Sequence, residues 1–398
     1  MRDVLRAKVQ SDLRAAGIDV YIAVTPTNFR YLSGYNSAFL DLSWQMTGTD
    51  MVVLPADCNL SPAIVVSEYC APDARRLSDI KDIRCYSMWT ENRNYRTIAS
   101  PASDIVPRPM QYDSVAIFDL VRQIIEERGL GDGVIGTDLA LMKHATHQAL
   151  TAAFPGAKFV DCERILYRAR RRKHPEEIGH LRNAARLFDV GVQHVFDVLH
   201  PGQTLNELRL GFEGAVKDAV AADPAMGALE KTFFFPHVGT GDGHVVREGD
   251  VVKLDCGVRI EGYWSDGCRH ATLGPASTEQ RLIHQALLAG FTAGRALLMP
   301  GQRMSEVYDA VLTAVRQNGL PAYSRGHFGH SIGMDDQTEE PPFLGPDPTR
   351  LEPGMVICLE VPFYPPDQGG FNLEDMFLIN DNGVEPLTHA SLEMREIH

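Results

Sequence analysis

Long apolar runs are absent from this sequence, and patterned cysteines are absent too. No stretch approaches the ~18 consecutive apolar residues that a membrane-spanning helix needs. Residues 1–16 alternate charged and apolar side chains, so they do not form the apolar centre of a signal peptide. The seven cysteines include no Cys-x-x-Cys spacing, which argues against a zinc ribbon and a disulfide framework. Together these absences predict a cytoplasmic protein.

An excess of positive charge is also missing. The formal net charge is -14, so the average surface repels phosphate. The one basic run, residues 168–173, lies just before a predicted helix, and we interpret it as a solvated linker. The sequence therefore predicts neither a nucleic-acid partner nor a membrane partner, and favours a small-molecule substrate.

The length of 398 residues fits two domains better than one. The first part alternates short apolar strands with amphipathic helices, which indicates an α/β domain over residues 1–165. An apolar stripe with spacings of three and four then runs from Ile178 to Leu199, behind Pro175. This stripe predicts the long helix that opens a second domain, residues 166–398.

The second domain contains a faint internal repeat. The segment 199–208 resembles the segment 298–307, and each carries Pro-Gly-Gln after one predicted helix and before another. With similar helices on either side, the repeat predicts two pseudo-symmetric halves of one domain.

A pair of acids in a β-rich segment is the first sign of chemistry. Two strand-like runs flank a turn at residues 260–262, and folding them as a hairpin places Asp255 opposite Asp266 on one face. Facing carboxylates repel each other unless a cation lies between them. Cys256 and Cys268 should point to the opposite face by strand alternation, as core residues.

The same geometry is expected a second time. A hairpin about the turn at residues 367–370 places Glu360 opposite Glu374, among apolar neighbours. Between the two hairpins lies His330 in a glycine-rich segment, where the backbone can approach a ligand closely. Four carboxylates and one imidazole suit Mn²⁺, Fe²⁺, Co²⁺ or Zn²⁺. Two divalent ions would balance the four negative charges.

Together these motifs resemble those of the pita-bread metalloenzymes, which include methionine aminopeptidase, aminopeptidase P, prolidase and the metal-free creatinase. The resemblance covers nearly the whole chain. It is carried by Asn28–Tyr35, Lys173–Arg182, Asp255-x-Gly, Ser265-Asp266, Gly329-His330, Pro353–Glu360 and Leu373-Glu374. It implies an α+β fold, in which a pita-bread catalytic domain follows a creatinase-like α/β N-terminal domain.

The resemblance also implies a cofactor and a reaction. Two divalent metal ions would activate a bridging water to cleave an amide-type C–N bond. Mn²⁺ is the expected metal, and Co²⁺, Fe²⁺ and Zn²⁺ are the alternatives. The substrate would be a dipeptide or another small polar molecule, and Glu360 would act as ligand and proton shuttle. The implied metal ligands are Asp255, Asp266, His330, Glu360 and Glu374. The implied assembly is a homodimer.

Two other functions stay open on the sequence alone. One is a metal-dependent lyase acting on a small molecule, and the other is a non-catalytic binding protein of the same family. The intact set of five ligands argues against the binding protein.

The substrate-contacting residues depart from the family pattern. The histidine ahead of the first aspartate is either His237 or His244, and the sequence does not decide between them. Gln337 or Thr338 stands where the peptidases carry the histidine of a His-Glu-x-Pro motif, and Asn372 stands where many relatives carry arginine. The lost oxyanion donor and the lost positive charge predict poor hydrolysis of proline dipeptides.

Overall fold

The computed structural model describes residues 1–42, 46–131, 133–239, 245–335, 339–340 and 343–398. The chain divides into two compact units, Met1–Ala169 and Arg170–His398. This division and the predicted one after residue 165 fall within the same helix, Glu163–Arg171. Within the described residues, no helix combines the length and the apolar character needed to cross a bilayer.

The first unit is built on one mixed six-stranded sheet. Its strands are β1 (Val20–Ala23), β2 (Met51–Pro55), β3 (Ala63–Ser67), β4 (Asp82–Tyr86), β5 (Val134–Thr137) and β6 (Lys158–Asp161). They lie in the order β4-β3-β2-β1-β5-β6. The strands β1, β2 and β3 are buried along their whole length, as expected for strands covered on both faces.

Helices connect most of these strands along the chain. They are α1 (Arg2–Ala15), α2 (Pro26–Ser33), α3 (Ala38–Leu42), α4 (Ala71–Leu77), α5 (Tyr95–Ile98), α6 (Ser114–Glu127), α7 (His144–Ala153) and α8 (Glu163–Arg171). The longer ones, such as α6, place an apolar face in the core beside β2 and β3. The predicted α/β character of this part is confirmed.

The second unit has a larger sheet of nine strands. These are β7 (Leu229–Val238), β8 (Val251–Ile260), β9 (Tyr263–Trp264), β10 (Gly267–Leu273), β11 (Gly329–Ser331), β12 (Val356–Glu360), β13 (Glu374–Asn380), β14 (Gly383–Pro386) and β15 (Arg395–Ile397). The main order is β11-β12-β13-β10-β8-β7. The short strands β14, β15 and β9 pair with β13, β10 and β8 respectively.

Two helix pairs pack against this sheet and give it two similar halves. The pairs are α9 (Pro175–Asp197) with α10 (Leu205–Ala222), and α11 (Thr278–Ala296) with α12 (Met304–Gln317). The first pair shares a buried apolar cluster with β8, and the second pair shares another with β12. The repeated segments lead into α10 and α12, so the predicted pseudo-symmetric halves and the α+β class are confirmed.

Candidate metal centre

The hairpin formed by β12 and β13 has the predicted register. Glu360 lies directly opposite Glu374 in the antiparallel ladder, and Cys358 lies opposite Met376. Residues that face each other in such a ladder project to the same side. Two carboxylates therefore share one face of the sheet, as the sequence predicts.

The hairpin formed by β8 and β10 differs from the prediction. Asp255 lies opposite Cys268 and not opposite Asp266. The turn is shorter than expected: it consists of Glu261 and Gly262, with φ of 49° and 86°. Two residues in the left-handed region suit the twist of a two-residue hairpin. The tight turn shifts the partner of Asp255 by two residues, which keeps Asp266 on the same face.

The shifted register also corrects the prediction for one cysteine. Cys268 faces Asp255 on one side and Glu374 on the other, so it lies on the acidic face. Cys256, beside Asp255 in the same strand, points to the other face as predicted, and it is fully buried in the apolar core.

All five predicted ligands lie on one face of five adjacent strands. Since the registers link His330 to Cys358, Glu360 to Glu374, and Glu374 to Cys268, strand alternation places them on a common side. The five are Asp255 on β8, Asp266 just before β10, His330 on β11, Glu360 on β12 and Glu374 on β13.

Three of the five converge tightly. His330 Nε2 lies 3.4 Å from Asp266 Oδ2 and 3.6 Å from Glu374 Oε1. One ligand atom from each of these residues and Cys358 Sγ lie within 4.8 Å of one another, and all four residues are buried. His330 Nδ1 lies 3.1 Å from the Ser331 carbonyl oxygen, which directs Nε2 toward the acids.

Buried acids face one another in this cluster, and this raises their pKa values. Burial raises the pKa of Glu374 well above its usual value, and the charge of Asp266 raises it further. Burial also raises the pKa of Asp255. Within the described part of the chain, Glu374 Oε1 is buried without a hydrogen-bond donor. A buried oxygen of this kind fits a divalent ion bound by oxygen and imidazole ligands.

The other two acids are held by cationic side chains. Lys253 Nζ donates to Asp255 Oδ2 at 3.0 Å, and Arg325 Nη2 donates to Glu360 Oε1 at 2.7 Å. The Asn372 amide lies between the two glutamates, at 3.5 Å from Glu360 Oε2 and 3.4 Å from Glu374 Oε2. The acidic face thus contains two cations among its carboxylates.

Sequence reasoning missed Lys253, Arg325 and Cys358. Strand alternation could have identified Lys253 and Cys358, because each precedes a predicted ligand by two residues in the same strand. Arg325 precedes β11 in an irregular segment, and no periodicity indicates its direction.

One of the predicted substrate-contacting residues lies within the described part of the chain. His237 is on β7, directly opposite Lys253, and its ring lies 6.5 Å from that of Tyr364. Burial lowers its pKa, and the charge of Lys253 lowers it further. The other candidates, His244, Gln337 and Thr338, lie outside the described residues.

A small cavity opens beside Arg325. Its volume is about 400 Å³. It is lined by Ala322, Tyr323, Ser324, Arg325, Pro362, Phe363 and Tyr364. Because Arg325 also contacts Glu360, this cavity is next to the acidic face.

Comparison with known families agrees with this geometry. Residues 179–381 match the model of metallopeptidase family M24, and residues 6–172 match the creatinase/prolidase N-terminal domain. The chain belongs to metallopeptidase family M24. Membership confirms the predicted superfamily and the predicted enzyme class, a metal-dependent hydrolase.

Individual relatives are distant. An uncharacterised peptidase of Bacillus subtilis (strain 168) is 28% identical over 264 residues, which is 65% of this chain and 74% of that protein. A creatinase of Bacillus sp. (strain B-0618) is 26% identical over 284 residues, 67% of this chain and 69% of the creatinase. The solved structure of an Xaa-Pro dipeptidase from Bacillus anthracis covers 100% of both chains with a TM-score of 0.80 at 20% identity, and shows a shared fold.

Proposed function

We propose that this M24 member hydrolyses an amide-type C–N bond in a dipeptide or another small polar substrate, with up to two divalent metal ions bound. The observation that supports this most is the shared face of five adjacent strands, which gathers four carboxylates and one imidazole. The proposed metal ligands are Asp255, Asp266, His330, Glu360 and Glu374. Mn²⁺ is the first candidate, because the set is rich in hard oxygen donors.

The chemistry divides between the ions and the side chains. Divalent ions held by Asp255, Asp266, His330, Glu360 and Glu374 would supply Lewis-acid activation of a water molecule near neutral pH. Glu360 is the proposed proton carrier: its side chain is only 12% exposed, and a charged hydrogen bond from Arg325 holds it in place. It takes the proton of the attacking water and delivers it to the leaving nitrogen.

Substrate size and charge follow from the cavity beside Arg325. A volume of about 400 Å³ suits a molecule of dipeptide size or smaller. Arg325 supplies a fixed positive charge next to Glu360. A substrate that carries a carboxylate or another anionic group therefore fits this side of the site, even though Asn372 replaces the arginine of many relatives.

The decisive experiment is a substrate panel with the Mn²⁺-loaded enzyme. Ala-Pro and Gly-Pro are compared with small amides, amidines and cyclic compounds, and the products are identified by mass spectrometry. Hydrolysis adds one water to the substrate, whereas elimination by a lyase adds none. We expect hydrolysis of a non-dipeptide, with kcat/KM for both dipeptides below about 10⁴ M⁻¹s⁻¹.

The matched control for this panel is Glu360→Gln. It keeps the shape of the side chain but removes the proton carrier, and should lower kcat by about 10²–10³-fold. No turnover of any compound by the loaded wild-type enzyme, or equal turnover by the variant, would contradict the proposed function.

We also propose a homodimer, as the resemblance to creatinase and prolidase implies. Light scattering of the full chain tests it, and a fully active monomer would reject it.

A further inference from the structure

Two buried histidines of the second unit lie outside the proposed ligand set. His270 on β10 is 3% exposed, and His284 on α11 is 5% exposed. His270 Nε2 lies 2.9 Å from His284 Nδ1, and His270 Nδ1 lies 3.0 Å from the backbone carbonyl oxygen of Asn372. A chain of hydrogen bonds therefore runs from α11 through β10 to the backbone just before β13.

The Asn372 carbonyl determines the direction of this chain. A carbonyl oxygen can only accept, so His270 Nδ1 carries a hydrogen and donates it. Burial lowers the pKa of His270 to about 3, so the ring is neutral near neutral pH and its Nε2 accepts. His284 Nδ1 must then be the donor to His270 Nε2. His284 thus holds His270 in the tautomer that bonds to Asn372.

The imidazole of His270 takes the place of a backbone group at this point of the sheet. In the described residues β10 and β13 share one paired position, Cys268 with Glu374. If the same register continued, His270 would face Asn372. The ladder does not continue, and the side chain of His270 instead provides the hydrogen bond that the Asn372 carbonyl accepts. His270 therefore fixes the backbone of Asn372 from the β10 side.

The side chain of Asn372 depends on this backbone support. Its Nδ2 lies 3.5 Å from Glu360 Oε2 and 3.4 Å from Glu374 Oε2, and both distances are long for N–H···O hydrogen bonds. The residue is fully buried, and its Oδ1 has no donor among the described residues. Since these side-chain contacts are weak, the position of the amide between the two glutamates is determined mainly by the backbone.

We propose that His270 and His284 are positioning residues that act through Asn372 on Glu360 and Glu374. The amide held by this chain restrains one oxygen of each glutamate. Carboxylates that are already restrained lose less freedom when they bind an ion, so the histidine pair raises the affinity for a divalent metal. This inference rests on the proposed metal-dependent function and assigns a role in it to residues outside the ligand set.

The test is the dissociation constant for Mn²⁺, measured by calorimetric titration of the full chain. His270→Leu removes the donor to Asn372 and should weaken binding by about tenfold. His270→Asn places an N–H₂ donor near the position of Nδ1, and should restore the affinity to within about threefold of wild type. Val311→Ala is the control: it removes buried apolar contacts of α12 in the same half of the unit, and should leave the affinity unchanged.

A double variant separates this role from a general loss of stability. Asn372→Ala should weaken Mn²⁺ binding by itself, and adding His270→Leu should cause no further loss, because His270 acts through Asn372. Nitrogen NMR of isotope-labelled histidine in the metal-free protein should show the Nδ1–H tautomer at His270. It should show a mixture of tautomers in His284→Leu, with Mn²⁺ binding weakened about threefold.

The outcomes are distinct. Additive losses in the double variant, wild-type affinity in a folded His270→Leu variant, or the Nε2–H tautomer at His270 would overturn the role of the pair. If His270→Leu does not fold, unchanged affinity in His284→Leu has the same meaning. Wild-type protein that binds no Mn²⁺ would reject the proposed metal-dependent function, whereas Mn²⁺ binding that none of the histidine variants alters would reject this inference alone.

Discussion

Each unit of the chain buries a carboxylate, and the two carboxylates have opposite surroundings. In the first unit, Asp138 is 1% exposed and accepts hydrogen bonds from several donors at the start of α2. These are the Tyr21 hydroxyl, the Val24 and Thr25 N–H groups, the Thr25 hydroxyl and the Asn28 amide. In the second unit, Glu374 is 2% exposed and faces other acids, with one oxygen left without a donor among the described residues.

The difference shows how to interpret a buried acid. A carboxylate that is surrounded by donors compensates its own burial, and its role is to hold the backbone in place. A carboxylate that faces other carboxylates is compensated only by a cation. We therefore interpret Asp138 as a structural residue, whereas Glu374 belongs to the proposed metal site.

Glu374→Gln gives the sharpest test of this distinction. Replacing this acid removes a negative charge that a divalent ion needs, so the affinity for Mn²⁺ should fall by more than about 100-fold, and activity with it. The metal-free variant should be at least as stable as the metal-free wild type, because repulsion from Asp266 is relieved. Calorimetric titration and urea denaturation measure the two effects.

Glu385→Gln is the control for this prediction. Glu385 lies on β14 of the same sheet and pairs with Arg182 at the surface. Its replacement should change neither metal affinity nor stability appreciably. Retention of Mn²⁺ by Glu374→Gln at wild-type affinity would place the metal elsewhere.

Asp138→Asn should have the opposite effects: it should lower the stability of the protein and leave its affinity for Mn²⁺ unchanged. The amide presents an N–H₂ group to donors that surround the present carboxylate, and the buried N–H groups lose a charged acceptor. The free energy of unfolding should fall by about 3–5 kcal/mol. The exposed Asp119→Asn is the matched control. A loss below about 1 kcal/mol would show that the donors around Asp138 find other partners.

How much of this site the sequence predicts depends on the hairpins. The β12–β13 register was predicted correctly, and Glu360 faces Glu374 as expected. The β8–β10 register was not, because Glu261 adopts a left-handed conformation that few non-glycine residues adopt. The predicted pairing of Asp255 with Asp266 is therefore wrong by two residues.

The long helix of the second unit was easier to predict. The long stripe behind Pro175 predicts a helix, and the structure has α9 from Pro175 to Asp197. The apolar spacing predicts such a helix because the same pattern repeats over many helical turns. Arg325 could not be predicted, since a loop residue reaches Glu360 only through the tertiary fold.

Asp50 offers an intermediate case within the first unit. Burial raises its pKa to about 6, although Ser37 and Tyr86 donate hydrogen bonds to it. The folded state thus binds the proton more tightly than the unfolded chain, so stability falls as the pH rises from about 4 to about 6. Asp50→Asn cannot ionise, and should stabilise the protein by about 1–3 kcal/mol at pH 7.5 but not at pH 4.

Denaturation of wild type and variant at both pH values measures this difference. The comparison between variants cancels the titration of all other groups. A stabilisation that is equal at pH 4 and pH 7.5 would mean that the Asp50 carboxyl ionises at its ordinary pKa.

The smallest effect is expected at Cys358, whose Sγ lies within 4.8 Å of ligand atoms of Asp266, His330 and Glu374. Sulfur is a softer donor than carboxylate oxygen and favours Zn²⁺ over Mn²⁺. Cys358→Ser should therefore lower the ratio of retained Zn²⁺ to Mn²⁺ by about tenfold, in a competition measured by elemental analysis. Cys256→Ser changes a buried cysteine on the opposite face, and should leave the ratio unchanged. The same ratio in both variants would mean that Cys358 only fills space beside the metal, and that oxygen and imidazole alone determine which ion binds.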